Sequence, residues 1–93
     1  KEVETEIDDL DGVNESAVIG VPHPDFGEAV LAVVVPTSGV KLVADQITLP
    51  LQKRLAKFKC PKKVVFINAL PRNTMGKVQK NELRKAYENT FQA

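Results

Sequence analysis

The chain has 93 residues, 43% hydrophobic and 27% charged, which suits one globular domain with a modest core and argues against a disordered chain. Its longest apolar run, AVLAVVV at 29–35, is far short of a bilayer span, and no signal-peptide pattern opens the sequence, so no membrane association is expected. The net charge of +1 hides an asymmetry: residues 1–45 hold two lysines against ten acids, a net of −8, and residues 46–93 hold eleven lysines and arginines against two acids, a net of +9. Such halves are either two solvated faces or mutually attracting surfaces, and the basic half suits a polyanionic partner.

In chain order, KEVETEIDDLDG places Val3, Ile7 and Leu10 at i, i+4 and i+7, predicting an amphipathic helix that stops at Asp11-Gly12. SAVIGV (16–21) reads as a short strand closed by the turn cluster PHPDFG. AVLAVVVP (29–36) is too apolar for a half-exposed strand and is predicted to lie centrally in a sheet, with TSG turning after it. Residues 44–59 read as helical, with Leu51, Leu55 and Phe58 on one face. Pro50 would cost roughly 3 kcal/mol in a helix interior, so the favoured reading starts that helix near Thr48 and puts Pro50 in the first turn. Cys60-Pro61 ends it, and KKVVFI (62–67) supplies a third strand. The loop NALPRNTMGK leads to a closing helix from about Gln79, with Leu83, Ala86 and Tyr87 turned inward. The order helix, strand, strand, helix, strand, loop, helix predicts a small α+β domain, a sheet of about three main strands flanked by helices. The chain opens in helical pattern without an initiator Met, so it reads as a piece of something larger.

The lone Cys60 excludes an internal disulfide and fits a reducing, cytoplasmic compartment. One His, one Cys and scattered acids give no metal-ligand spacing. His23, with no nucleophile or second ligand near it in sequence, reads as a turn or surface residue, Cys60 as packing, and Thr74 as lacking the base a nucleophile needs. Gly76-Lys77 is not a phosphate-binding P-loop, because that motif needs Gly at 71 and Ser or Thr at 78, where the chain has Pro71 and Val78. Lys77 stands out instead for its frame. Pro71 and Gly76 bracket an exposed loop able to deliver a compact, rotatable cation, with an ordinary surface lysine as the competing reading. Nucleic-acid binding ranks last, since the basic half has no aromatic interleaving.

Three segments, in order, resemble the C-terminal domain of the adenylate-forming enzymes, the superfamily of acyl-CoA synthetases, peptide-synthetase adenylation domains and luciferases. KEVETEIDDLDGVNESAVIGVPHPDFGEAVLAVVVP is similar to the family's start, with its Gly-Glu turn at Gly27-Glu28. LAKFKCPKKVVF is similar to the aromatic-Lys-x-Pro segment, and LPRNTMGKVQKNELR to the final motif Pro-Arg-x-x-x-Gly-Lys-hydrophobic-x-Lys. Within the superfamily, ESAVIGVPHPDFGEAV and PRNTMGKVQKN look closest to malonyl-CoA synthetases.

The resemblance implies that residues 1–93 form the mobile C-terminal lid of an AMP-forming acid:CoA ligase, whose large N-terminal domain, holding ATP and the acid, lies outside this chain. It implies that Lys77 is the catalytic adenylation lysine, that Pro71 and Gly76 shape its loop, and that the domain later rotates for thioester formation. Arg72, Lys80 and Lys59 are candidates for phosphate or substrate contacts or for holding the loop, with surface salt bridges as the competing role. ATP, Mg2+ and coenzyme A are implied for the parent enzyme and none for the chain alone, which is expected to be inactive. Lys77 also looks like a modification site of GNAT-type protein acetyltransferases, where acetylation would remove the cation. Two alternatives stay open: an interaction module serving as substrate of a lysine acetyltransferase or deacetylase at Lys77, and a small phosphate or nucleic-acid binder.

Overall fold

The sheet is built from the two β-branched runs and the short segment that follows the second helix. In the computed structural model, which describes residues 2–92, β1 (Val13–His23) and β2 (Gly27–Pro36) pair antiparallel, with Ile19 opposite Leu31. β3 (Lys63–Phe66) lies parallel on the other side of β2, with Val65 opposite Val33, giving the order β1-β2-β3. A parallel neighbour needs a crossover, and α2 (Asp45–Arg54) supplies it. The central place expected for the apolar run is the one β2 occupies: Leu31, Ala32, Val33 and Val34 are fully buried because both faces of β2 are covered.

Each face carries its own core. Ala17, Ile19, Val21, Leu31, Val33 and Val35 pack against Leu70 and Leu83, the latter on α3 (Lys80–Ala86), with Val78, Tyr87 and Phe91 half-buried beside them. On the opposite face Ala32, Val34 and Val64 meet Ile7 of α1 (Glu2–Asp8) and Ile47 and Leu51 of α2. Each large aliphatic fully buried here contributes about 1.5–3 kcal/mol, enough to settle which stripe of each short helix faces in. The result is a three-layer α+β domain with the element order read from the sequence.

Four local details differ from the sequence reading. β1 extends over Pro22 and His23, opposite Glu28 and Gly27, because it is an edge strand where a missing N–H is tolerated. α2 starts at Asp45 rather than near Thr48, which leaves Pro50 inside the helix. Burial of Ile47 draws in that earlier turn, and it is closed by the N–H groups of Ile47 and Thr48 on the Ala44 carbonyl and by Gln46 Oε1 accepting from Val43 N–H at 2.7 Å. α2 also ends early: Leu55 is extended and Lys57–Lys59 form a 3-10 turn. Phe58 therefore leaves the buried face and is 80% exposed. Ala86, expected inward, is exposed, since α3 is only seven residues long and buries Leu83.

The charged halves attract. Each ion pair among the described residues joins an acid of the first half to a base of the second: Lys59 to Glu2, Arg54 to Glu6 and Asp9, Lys80 to Glu4, and Arg72 to Glu15.

Candidate functional site

Lys77 sits on a folded hairpin rather than a loose loop. Arg72 and Val78 face each other in an antiparallel bridge, Gln79 N–H donates to the Pro71 carbonyl at 2.8 Å, and Asn73 N–H donates to the Lys77 carbonyl at 3.0 Å. Gly76 N–H closes the turn on the Asn73 carbonyl at 2.9 Å, and Gly76 itself has φ +84°. That is a tight turn whose last residue is left-handed, the conformation glycine adopts at least cost. Leu70 below and Val78 beyond anchor the hairpin in the core beneath β1 and β2.

The backbone around Lys77 is saturated with partners. Its N–H donates to Asn73 Oδ1 at 3.0 Å, an oxygen that also accepts from Met75 N–H at 2.9 Å. Its carbonyl accepts from Gln79 Nε2 at 3.0 Å, and the preceding Gly76 carbonyl accepts from Arg72 Nη1 at 2.7 Å. The ammonium, by contrast, is exposed and has no hydrogen-bond or ion-pair partner among the described residues. A held backbone with a free cation is what is needed to place charge against a ligand supplied from outside.

The other residues expected at the site have different fates. Arg72 holds the loop and is itself paired with Glu15. Lys80 lies beside Lys77 but is paired with Glu4 Oε2 at 2.7 Å. Lys59 is not part of this site; it pairs with Glu2 at 2.6 Å and lies 5.8 Å from the Phe58 ring centroid. A shallow cleft of about 340 Å³ is lined by Lys77, Val78, Gln79, Lys80, Asn81 and Arg84. Arg84 was missed by the sequence reading, although its spacing from Lys80 and Lys77 on the approach to α3 was a readable signal. Asn73 was missed too; Asn three residues before Gly is a recognisable turn signal.

Glu4 ties the loop's base to the sheet. Its Oε2 accepts from the Val18 N–H at 2.7 Å, satisfying an outward donor of the edge strand, and also receives Lys80. Desolvation pushes its carboxyl upward, and the hydrogen bonds from Lys80 and Val18 together with the Lys80 charge outweigh it, holding it below the ordinary carboxylate value. His23 organises its own turn, where Nδ1 accepts from Asp25 and Phe26 N–H and the ring stacks on Phe26 at 4.4 Å. Cys60 is half-buried, with Sγ near the Leu51 and Ala56 carbonyls, as a packing residue would be.

A second surface differs in chemistry. A cleft of about 500 Å³ is lined by Phe26, Ala29, Val30, Phe58, Lys57 and Lys62 among others, and Lys62 Nζ lies 4.8 Å from the Phe26 ring centroid. Phe26 and Phe58 are 59% and 80% exposed, so rings and ammonium groups are offered together to solvent.

Fold and hairpin define a class: a small α+β domain that holds a lysine backbone rigidly and leaves its charge unspent. The chain belongs to the AMP-binding enzyme C-terminal domain family, whose model matches residues 2–77. It is 57% identical to MatB from Rhodopseudomonas palustris, in a crystal structure with ATP bound, with a TM-score of 0.95 over 98% of this chain and 18% of that one. Against a fatty acyl CoA synthetase of Mycobacterium tuberculosis the identity is 43% and the TM-score 0.88, over 96% of this chain and 18% of that one. A feruloyl-CoA synthase of an Amycolatopsis species is 44% identical, over 92% of this chain and 18% of its own length. The chain thus spans less than a fifth of the length of these relatives.

Proposed function

We propose that the chain is the C-terminal domain of an ATP-dependent, AMP-forming acid:CoA ligase and that Lys77 is its adenylation lysine. The observation that carries this reading is the contrast at Lys77 between a fully engaged backbone and an unpaired ammonium. In adenylation a substrate carboxylate attacks the α-phosphate of ATP and pyrophosphate leaves, so two anions must approach and negative charge grows on the transferring oxygens. An ammonium bridging carboxylate and nucleotide oxygens stabilises that transition state without any proton transfer. Arg84 adds positive potential along the same cleft, where the charge of Lys80 is already met by Glu4. Mg2+ would reach this site with the nucleotide; no group of three or more His, Cys, Asp or Glu side chains among the described residues gathers to hold a metal.

The aromatic and lysine-lined cleft at Phe26 and Phe58 supports the second half of the reading. A coenzyme A molecule carries an adenine ring and several phosphates, and exposed aromatic rings beside ammonium groups match both. Rotation of the domain after adenylation would withdraw Lys77 and bring this other surface forward. The acid is malonate or a related short acid, a choice that rests on the resemblance to malonyl-CoA synthetases. The enzyme works in the cytoplasm, and this chain without the large domain forms no acyl-adenylate.

The test follows both half-reactions in the full-length ligase with Lys77→Ala. Acyl-adenylate formation is expected to fall about 100- to 1000-fold, the scale for removing one transition-state charge stabiliser. Thioester formation from supplied acyl-adenylate and coenzyme A should be nearly unchanged. Equal loss in both steps, or in neither, sinks the assignment.

The exposure of the unpaired ammonium favours one further reading: Lys77 as the target of a protein acetyltransferase, with acetylation removing the charge. Incubating the isolated chain with such an enzyme and acetyl-CoA, then mapping the modified lysines by mass spectrometry, tests it. Modification spread evenly over the exposed lysines would count against it.

A further inference from the structure

We propose that Glu15 is a positioning residue for adenylation, acting on Lys77 through Arg72; this rests on the reading of Lys77 as the adenylation cation. Glu15 lies on β1, 57 positions before Arg72 in the sequence. On β1 the side chains of Ala17, Ile19 and Val21 face the core beneath the hairpin and are 1%, 3% and 0% exposed. Period-two alternation puts Glu15 on that same face. A carboxylate there interrupts an apolar row, so the position asks for a partner rather than for burial. The register of β1 on β2 shifts between Val13 and Glu15, after which Glu15 sits opposite Val35, at the rim of the core and under the loop.

The partner is the guanidinium of Arg72. Its Nη2 donates to Glu15 Oε1 while its Nη1 donates to the Gly76 carbonyl at 2.7 Å. One rigid fork thus joins a strand of the sheet to the peptide group immediately before Lys77. A guanidinium held at one nitrogen has its other nitrogen aimed for it, and charge-assisted bonds to a carboxylate are the stronger kind. The Glu15 side chain is 27% exposed and that of Arg72 44%, so solvent screens the pair and its value to overall stability is small. Its value is geometric. Without Glu15, Arg72 regains rotamer freedom, the Gly76 carbonyl loses a fixed donor, and the lysine is placed less sharply against its ligand.

The experiment uses the full-length ligase that carries this domain, with Glu15→Gln, Glu15→Asp, Arg72→Lys and Lys77→Ala, and Glu15→Gln combined with Lys77→Ala. Acyl-adenylate formation is read separately from thioester formation on supplied acyl-adenylate. Glu15→Gln is expected to lower kcat for adenylation on the order of tenfold, the scale of a misplacement below an ångström, with KM for ATP and acid close to the parent value. Thioester formation should be unchanged, Glu15→Asp should recover part of the loss, and Glu15→Gln should add nothing to Lys77→Ala. Arg72→Lys, which keeps the charge but cannot fork to Gly76, should match Glu15→Gln. If Glu15→Gln slows both half-reactions alike, or slows adenylation further when Lys77 is already gone, Glu15 acts on the fold in general and the proposal is overturned. If Lys77→Ala abolishes adenylation while Glu15→Gln leaves it intact, the positioning role falls and the reading of Lys77 stands. If Lys77→Ala itself leaves adenylation intact, the parent reading fails and this proposal fails with it.

Discussion

At Gly76 the φ of +84° is a demand of the turn and not of packing, because a Cβ added there would meet nothing within 4 Å. Gly76→Ala therefore isolates the backbone cost, about 1–2 kcal/mol for an L-residue held left-handed. In a domain of this size that lowers the unfolding midpoint by roughly 4–8 °C per kcal/mol, readable by circular dichroism. Gly76→Asn should cost less, since Asn visits this region more readily. An undiminished midpoint in Gly76→Ala would mean that the turn relaxes and the hairpin is not held as described. Lys77 was singled out by the family resemblance, whereas the turn between Pro71 and Gly76 was legible from local pattern alone, because turn chemistry is written in neighbouring residues. The contributions of Glu15 and Glu4 were not. Each is a single acid among many in the first half of the chain, and only folding puts one beside Arg72 and the other beside Lys80 and the Val18 N–H.

α2 shows an element overriding its own sequence preference. Pro50 argues for a late start, yet the helix begins at Asp45 because Ile47 and Leu51 are both fully buried against Val34 and Val64, and Ile47 precedes the proline. Leu51 would be buried with either start, so burial of Ile47, at about 1.5–3 kcal/mol, together with the hydrogen bonds of the added turn offsets one missing hydrogen bond and a ring clash of roughly 3 kcal/mol. The penalty is still present in the folded protein. Pro50→Ala is expected to stabilise the domain by about 1–2 kcal/mol, the helix-interior difference less the entropy that proline removes from the unfolded chain. A higher urea midpoint with an unchanged slope is the expected record. No change, or a loss, would mean that the helix has adapted fully to the proline. The early end of α2 has the opposite origin: Leu55 turns extended, and the 3-10 turn that follows turns Phe58 out to solvent, where an aromatic ring is available to a ligand.

At the scale of the molecule, ion pairs join the acidic first half to the basic second half. Most of these pairs are exposed, and each is worth about 0–1 kcal/mol. Glu4 differs, with a side chain 17% exposed that joins α1, the edge of β1 and the start of α3. Its folded-state pKa is depressed, so the unfolded chain binds the proton more readily. Its contribution is therefore complete above the ordinary carboxylate value and is lost as pH falls through the lower folded value. Glu4→Gln should cost about 1–2 kcal/mol at neutral pH. That deficit relative to the parent should shrink on acidification, as both proteins then carry an uncharged side chain at this position. Denaturation curves taken across the acid range test this; a constant deficit would assign the loss to shape rather than to charge.

The sequence by itself determined the element order, the central place of β2, the α+β class and the resemblance that led to Lys77, because hydrophobic periodicity and turn residues act over a few neighbours and survive without tertiary context. Tertiary structure alone decided where α2 starts, that Phe58 faces solvent, and which acid meets which base. Those outcomes depend on contacts between residues far apart in the chain. Arg72 could have met any of several carboxylates; the pleat of β1 and the place of the hairpin against it selected Glu15.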